Sequence, residues 1–228
     1  MSIRKKILAI SIGPVLVLGV ITLLFMLTMV KSSLMDEVQD ALKGTAAATL
    51  AAYDQNTGDY LESTNGDIWK GSYNISKSES LVDRIKENTG MDVTFFYGNK
   101  RIMTSALDKK GNRILGSEAG ERVVNQVIKG KKPFFSTNVS LDGTRNYGYF
   151  IPVYQNGTTD QVIGMVFVGT NKARKDAIVN KILGSIMMAL LVVMLLCIVT
   201  AMRMAASISK NIKNSVAVVG KLADGDLN

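Results

Sequence analysis

The sequence comprises 228 residues, of which 47% are hydrophobic and 20% are charged, and its formal net charge is +8. It contains no histidine and one cysteine, Cys197. Histidine is the commonest general base and metal ligand, so neither a catalytic site, a metal site nor a cofactor is predicted. A single cysteine forms no disulfide within the chain, so a folded domain must be stabilised by its hydrophobic core.

The positive charge is unevenly distributed along the sequence. Residues 31–181 contain 20 Lys and Arg and 17 Asp and Glu, which leaves this long middle segment almost neutral. The remaining excess of cations flanks two apolar runs. A basic face for a phosphate backbone is therefore not indicated, and nucleic acid is excluded as a predicted partner.

Two runs without a charged residue, 7–30 and 182–202, are long enough to cross a bilayer, which takes about 20 apolar residues. Cations flank them on one side: Arg4, Lys5, Lys6, Arg203, Lys210, Lys213 and Lys221. Cytoplasmic flanks are enriched in Lys and Arg, although Lys172, Arg174, Lys175 and Lys181 run against this rule. The prediction is a multi-pass protein of the cell membrane, with a cytoplasmic N-terminus 1–6, membrane helices 7–30 and 182–202, an extracytoplasmic domain 31–181 and a cytoplasmic segment 203–228.

The first apolar run continues as a predicted helix, because neither Gly nor Pro occurs between Val20 and Lys43. Apolar or small residues recur along it at alternating spacings of four and three: Leu34, Val38, Ala41, Thr45, Ala48 and Ala52. Such a stripe packs either against the same domain or against a second copy, so a homodimer is one prediction. Gly58 and Gly66 end the helix, and the stretch through Trp69, Gly71 and Ser76 is predicted to be a loop.

The next segment combines a helix with a hairpin. The predicted helix covers 80–88, with Ser80 and Asp83 as a capping box and Gly90 as its C-terminal stop. Strands are predicted at 93–97 and 101–107 on either side of a Gly98-Asn99 turn. A short strand at 113–115 follows.

The last part of the domain predicts one helix and three strands. The helix covers 118–129, and its apolar face contains Ala119, Val123, Val124, Val127 and Ile128. The strands are 134–140, 144–154 and 161–169, and Pro152 within the second of them needs an edge or bulge position. A long N-terminal helix with an antiparallel sheet of about five strands is an α+β fold.

Three stretches of the sequence resemble a known family. They are DVTFFYGNKRIMTSALDKKGNRILGSEA (92–119), NYGYFIPVY (146–154) and VIGMVFVG (162–169). They resemble the single-Cache, PAS-like sensor domains of bacterial methyl-accepting chemotaxis proteins over most of 66–170. The resemblance implies a transmembrane chemoreceptor that senses a small extracellular ligand, such as a small organic acid.

The C-terminal stretch SISKNIKNSVAVVGKLADGDLN (207–228) is similar to the first helix of a HAMP linker, with Gly225-Asp226-Leu227 at its end. The seam of a parallel helix bundle is formed by Ile208, Ile212, Ser215, Val219 and Leu222. Asn211 stands where that family often has proline, which leaves open where the helix bends after the membrane. The resemblance implies a cytoplasmic kinase and an adaptor as partners, reached through a further signalling domain.

A pocket for a small organic anion needs a fixed cation or several donors, together with apolar walls. Arg101 and Thr104 begin the second strand, where the resemblance places the anion-contacting segment of the family. Arg145, Tyr147 and Tyr149 alternate on one face of the fourth strand. The further candidates are Phe96, Lys132 and Phe150. Each has an ordinary alternative, because strand aromatics are mostly core residues and cations beside turns are mostly solvated.

Two other functional classes are compatible with the sequence. The same kind of sensor and linker precedes the catalytic domains of histidine kinases and cyclic-dinucleotide enzymes. The full-length protein could then be an enzyme, although no enzyme activity is predicted for residues 1–228 themselves. A membrane adaptor that binds a protein or a cell-wall partner is the third class, and a large exposed apolar patch on the outer domain would favour it.

Overall fold

The computed structural model of the chain describes residues 3–223, apart from the side chains of 3–8, 217, 218 and 220–223. The predicted end of the HAMP helix at Gly225-Asp226-Leu227, and the side chain of Leu222, lie outside the described residues. The fold divides into two compact units. One contains the residues up to Ser33 and those from Val179 onward, and the other contains Leu34–Ile178.

The first unit consists of parts of two long helices, α1 (Ile3–Asp54) and α4 (Lys172–Ala223). Both are long and apolar enough to cross a membrane. Their large apolar side chains are exposed, for example Phe25 at 63% and Leu196 at 59%, as expected of side chains that face lipid. A Cβ atom at Gly19 would lie 2.5 Å from the Met194 sulfur, so glycine allows the two helices to approach closely there.

The second unit is an α+β domain, as predicted. Its remaining elements are β1 (Tyr60–Glu62), β2 (Ile68–Lys70), β3 (Tyr73–Asn74), α2 (Glu79–Thr89), β4 (Asp92–Tyr97), β5 (Lys100–Thr104), α3 (Glu121–Val123, continuing as a π-helix over Val124–Lys129), β6 (Phe134–Leu141), β7 (Thr144–Tyr154) and β8 (Val162–Asn171). The main sheet is antiparallel with the strand order β5-β4-β8-β7-β6. Strands β1, β2 and β3 form a separate small antiparallel sheet.

Each face of the main sheet carries its own core. Successive residues of a strand point to opposite faces, so Phe95 belongs to one core and Phe96 to the other. The first core packs the sheet against α1, α2 and the small sheet, and the second packs it against the π-helical segment through Val127. The second face also carries the cavity described below.

The outer part of α1 packs against its own domain. Its buried residues are Val38, Leu42, Ala46, Thr49 and Tyr53. Of the predicted stripe, Val38 is buried, whereas Ala41 and Ala48 are exposed. The buried face of α1 is therefore shifted by about one residue along the helix relative to the predicted stripe. It contains the larger side chains of Leu42 and Tyr53, which the stripe did not include.

The segment around Trp69 is not the predicted loop but the small sheet of β1, β2 and β3. These strands lack the usual alternation of apolar and polar residues, because a charged residue, Lys70, occupies a buried position at 2% exposure. The Lys70 ammonium lies 4.3 Å from the centroid of the Tyr60 ring and 3.7 Å from the Asp54 carboxylate. These contacts compensate the burial of its charge.

Helix α2 confirms the predicted helix and its stop at Gly90, whose φ of 68° is the left-handed conformation that favours glycine. The predicted capping box is wrong, because the N-cap residue is Ser78 rather than Ser80. The Ser78 hydroxyl makes no cap hydrogen bond. It bonds instead to the Tyr53 hydroxyl at 2.9 Å and to the Ile75 carbonyl at 2.7 Å.

Three other boundaries differ from the prediction. The second strand ends at Thr104 rather than 107, and the predicted strand 113–115 is only an isolated bridge between Arg113 and Leu107. The predicted helix 118–129 begins at Glu121, because Glu118 and Ala119 lie extended beside the hairpin. Most of its length is π-helical.

Pro152 lies where the prediction requires. The pairing of β6 with β7 stops at Phe150, so Pro152 is paired with Met165 of β8 on one side only. A missing backbone N–H is tolerated at such a local edge.

Candidate ligand-binding site

A cavity of about 510 Å³ lies against the sheet face that carries Phe96, Phe150 and Phe167. This volume falls within the range of small-molecule sites. The segment 118–123 and the strand β6 form its other walls. The residues that line it are Phe96, Arg101, Glu118, Ala119, Gly120, Arg122, Val123, Phe134, Phe135, Ser136, Thr137, Asn138, Val139, Ser140, Phe150 and Phe167.

Arg101 is the buried cation of the cavity, with only 8% of its surface exposed. Its guanidinium lies 5.3 Å from the centroid of the Phe96 ring, and its Nη1 donates a hydrogen bond of 3.3 Å to the Ile114 carbonyl. Its Nε has no partner, and no ion pair among the described residues involves Arg101. Burial lowers its pKa, which reflects the cost of holding this charge away from water.

The position of Arg101 is fixed through its backbone. Its N–H donates to the Ser117 carbonyl at 2.9 Å, and its carbonyl accepts from the Gly116 N–H at 2.9 Å. The hydroxyl of Ser117 is also buried without a partner in the described structure. Ser117 does not line the cavity, whereas Arg101 does. Buried polar groups are normally hydrogen-bonded, so the unpaired Nε of Arg101 indicates a place for a bound polar ligand.

Five of the seven phenylalanines of the chain line this cavity. The ring centroids of Phe150 and Phe167 are 4.8 Å apart, and those of Phe134 and Phe150 are 6.4 Å apart. Separations of this order are typical of packed aromatic rings. The cavity therefore combines an aromatic wall with a single buried positive charge.

The rim of the cavity carries the exposed charged side chains of Glu118 and Arg122. The Arg122 guanidinium lies 5.3 Å from the centroid of the Phe134 ring, which holds this cation at the entrance. The polar part of the wall comes from β6, whose register shifts between Ser136 and Val139. This bulge leaves Thr137 outside the pairing with β7.

A direct link joins this wall to the helix that leads to the second apolar run. The ammonium of Lys172, the first residue of α4, donates a hydrogen bond of 3.1 Å to the carbonyl of Thr137. It also lies 5.2 Å from the centroid of the Tyr147 ring. The bulged wall of the cavity and the start of α4 are therefore in contact through one side chain.

The structure brings three of the predicted site residues to the cavity, namely Arg101, Phe96 and Phe150. Tyr147 and Tyr149 belong to the core on the opposite face of the sheet. This follows from the alternation along β7, because Phe150 faces the cavity and its neighbours therefore do not.

The other three predicted residues do not line the cavity either. Thr104 is fully buried, and its hydroxyl hydrogen-bonds to that of Thr94 at 2.7 Å. Arg145 and Lys132 are exposed on the surface of the domain. Their positions agree with the ordinary alternatives given by the sequence.

Several lining residues were missed from the sequence, among them Phe134, Phe167 and Arg122. Two glycines near Phe167, Gly148 and Gly169, are the sequence feature that could have indicated its position. A Cβ atom at Gly148 would lie 2.5 Å from the Phe167 ring, and a Cβ atom at Gly169 would also collide with it. These two glycines make room for the ring.

Residues 73–182 match the family model described as single cache domain 3. Among solved structures, the chain is similar to an extracellular ligand binding receptor from Desulfohalobium retbaense DSM5692, with 14% identity and a TM-score of 0.46 over 66% of this chain and 26% of that chain. It is also similar to the E. coli DcuS sensor domain, with 13% identity and a TM-score of 0.38 over 67% of this chain and 98% of that chain.

The chain thus spans about a quarter of the length of the first of these proteins. No curated protein matches it. The family match covers β3 to the start of α4, and with it the whole main sheet and every residue that lines the cavity. The α+β domain of this chain, flanked by two helices that could span a membrane, is therefore similar to a single cache domain over the segment that contains its main sheet and its cavity.

Proposed function

We propose that the chain is the sensing part of a transmembrane chemoreceptor that binds a small organic acid outside the cell. In this proposal residues 7–30 and 182–202 cross the membrane and 31–181 face outwards. The segment 203–228 begins a HAMP linker to a cytoplasmic signalling domain, which acts on a kinase and an adaptor.

The observation that carries the proposal is the state of Arg101. A cation that is 8% exposed, with an unpaired Nε and no carboxylate partner among the described residues, is costly in a folded domain. A bound carboxylate would accept from Nε and neutralise the charge. The free energy that holds this charge away from water is thereby recovered as affinity for an anion.

The contacts of Lys172 support a route for the signal. A ligand that touches the β6 wall would favour one arrangement of the Thr137 bulge, and Lys172 connects that carbonyl to α4. Since α4 is one helix from Lys172 to Ala223, a change at its start is passed on along a stiff element. We further propose a homodimer, with the exposed Ala41 and Ala48 of α1 on the contact face.

The first experiment measures melting temperatures of the whole chain in lipid nanodiscs with a panel of small carboxylates. Binding to the native state raises the melting temperature. The rise should be lost in Arg101→Gln and kept in Arg84→Gln, which makes the same change on the exposed face of α2. If no carboxylate in the panel raises the melting temperature of the native chain, the proposed class of ligand is wrong.

The second experiment tests the signalling role in cells. Deletion of the gene should abolish directed swimming toward or away from the acid found in the panel, while responses to unrelated stimuli persist. The Arg101→Gln protein should not restore the response, whereas Arg84→Gln should. Normal swimming together with a lost transcriptional response would point to a sensor kinase instead.

A further inference from the structure

The charges that line the cavity limit what it can neutralise. Among the described residues, its charged side chains are Arg101, Arg122 and Glu118, which together carry one net positive charge. Arg101 is buried, whereas the other two lie exposed at the rim. One carboxylate at Arg101 therefore balances the site, whereas a dicarboxylate or a tricarboxylate would bring more negative charge than the cavity can compensate.

The apolar part of the wall limits the body of the ligand. Beyond Arg101, the apolar lining of the cavity includes the rings of Phe96, Phe134, Phe150 and Phe167. Hydroxylated or charged ligand atoms placed against these rings would lose their water without gaining hydrogen bonds. A flat aromatic ring would instead stack on them or meet them edge-on, which adds to the effect of apolar burial alone.

The polar groups around the cavity separate an acid from an amino acid. A zwitterion needs a carboxylate for its ammonium group close to the cation that holds its carboxylate. Glu118 is exposed at the rim, whereas Arg101 Nε, the unpaired polar atom among the described lining residues, lies buried. A guanidinium nitrogen donates and cannot accept, so the buried end of the site is suited to an anion alone.

We propose that the ligand class of this cavity is aromatic monocarboxylates, with the carboxylate on Arg101 and the ring against Phe150 and Phe167. This inference rests on the proposed function, because it names the chemical class of the ligand for the same site. Arg122, held over the Phe134 ring at the entrance, adds a second cation that attracts the anion before it binds.

Calorimetric titration of the whole chain in nanodiscs tests the class, with empty nanodiscs as the control for partition into lipid. The acids to compare are benzoate, 3-phenylpropionate, acetate, malate and L-phenylalanine, together with the uncharged benzyl alcohol. Benzoate or 3-phenylpropionate should bind tightest. Acetate and benzyl alcohol should each bind at least about tenfold more weakly, because the first lacks the ring and the second lacks the charge.

Two pairs of variants assign the contacts. Arg101→Gln should weaken the binding of benzoate about ten- to a hundredfold, and Arg84→Gln should leave it unchanged. Phe150→Leu should weaken benzoate about two- to tenfold and leave acetate unchanged, because it keeps an apolar side chain but removes the ring. Phe95→Leu, the same change in the core on the other face of the sheet, should leave the preference for aromatic acids unchanged.

The outcomes separate the ligand class from the proposed function. Tighter binding of malate or acetate than of benzoate, lost in Arg101→Gln, would overturn the aromatic class and leave the acid receptor standing. Tighter binding of L-phenylalanine than of 3-phenylpropionate would overturn the class in favour of amino acids. If no acid binds to the native chain, both proposals are wrong.

Discussion

The hydroxyl of Tyr147 donates a hydrogen bond of 2.5 Å to the carboxylate of Asp176, which joins β7 to the second turn of α4. The Tyr147 ring also stacks on Phe135, with ring centroids 6.4 Å apart and an angle of 11° between the rings. Phe135 lines the cavity. Tyr147 therefore connects the cavity wall to α4 from the opposite face of the sheet, although it does not itself line the cavity.

Replacement of Tyr147 should weaken this connection without removing a ligand contact. Tyr147→Phe keeps the ring and loses a hydrogen bond to a charged acceptor, so the domain should lose about 1.5 to 3 kcal/mol of unfolding free energy. Benzoate affinity should change by less than about threefold. Thermal unfolding and calorimetry measure the two effects, and a large loss of affinity with unchanged stability would place Tyr147 in the binding site after all.

The same hydrogen bond predicts a pH dependence at high pH. Burial, and then the hydrogen bond to Asp176, raises the pKa of Tyr147 from 10.0 to about 12. A raised pKa stabilises the fold fully below the unfolded value and loses this contribution as the pH rises through the folded value. The stability difference between the native chain and Tyr147→Phe should therefore shrink between pH 10 and about 12. A constant difference across this range would contradict the assignment.

Lys172 should control the transfer of the signal rather than the binding of the ligand. Lys172→Met removes the hydrogen bond to Thr137 and the charge over the Tyr147 ring. In the native chain, the ligand should change the hydrogen exchange of residues 172–178. We expect this change to be reduced at least about threefold in Lys172→Met, because the altered β6 wall no longer acts on α4.

The control for this variant is Lys175→Met, which removes a lysine from the same turn of α4. The structure shows no hydrogen bond or ion pair of this side chain with any described residue. Its exchange pattern should respond to the ligand as the native chain does. An equal loss of response in both variants would mean that the charge of the segment matters, and not the contact of Lys172 with Thr137.

The sequence predicted the elements of this fold more successfully than the residues that line the cavity. Alternating apolar residues and turn glycines defined the hairpin of β4 and β5 and the three last strands, because these patterns are local. The assignment of a strand face to the cavity depends on which helix covers which face. That is a tertiary property, so the sequence favoured Tyr147 and Tyr149 and kept Phe150 only as a further candidate.

The sequence did not predict the small sheet of β1, β2 and β3 for a different physical reason. Strands of two or three residues show no measurable alternation, and the buried Lys70 reverses the usual meaning of a charged residue. The burial of the Lys70 charge is compensated by contacts with Tyr60 and Asp54. Both residues lie in other elements, so the sequence of β2 alone does not reveal these contacts. Arg122 was missed for a similar reason, since its contact with Phe134 joins two separate elements.

Gly148 should be essential for the shape of the cavity. A Cβ atom there would lie 2.5 Å from the Phe167 ring and 2.8 Å from a methyl group of Val139, both of which line the cavity. Gly148→Ala must displace them, so we expect a loss of about 1 to 3 kcal/mol of unfolding free energy and weaker binding of benzoate.

The matched control is Gly44→Ala in α1, where a Cβ atom would have no neighbour within 4 Å. This change should raise the unfolding free energy by about 0.5 to 1 kcal/mol, because alanine favours a helix over glycine. It should leave ligand affinity unchanged. A Gly148→Ala protein with native stability and affinity would show that Phe167 moves freely and does not define the wall.

Acid should weaken the attachment of α2 to the loop after β5. Arg113 donates to both oxygens of Asp83, at 2.9 and 2.6 Å, and the Arg113 hydrogen bond lowers the pKa of Asp83. A lowered pKa stabilises the fold above the unfolded value, which is about 3.9, and loses this contribution as the pH falls through the folded value. Asp83→Asn should therefore be less stable than the native chain at pH 6 but not near pH 2.

The control for this pH dependence is Asp160→Asn, which removes a carboxylate that lies 4.0 Å from Lys131 and is 95% exposed. An exposed pair at that distance contributes little, so this variant should match the native chain at both pH values. Thermal unfolding of the three proteins from pH 6 to pH 2 makes the comparison. A difference for Asp83→Asn that persists undiminished near pH 2 would show that lost packing around Arg113, and not the charge of Asp83, causes the destabilisation.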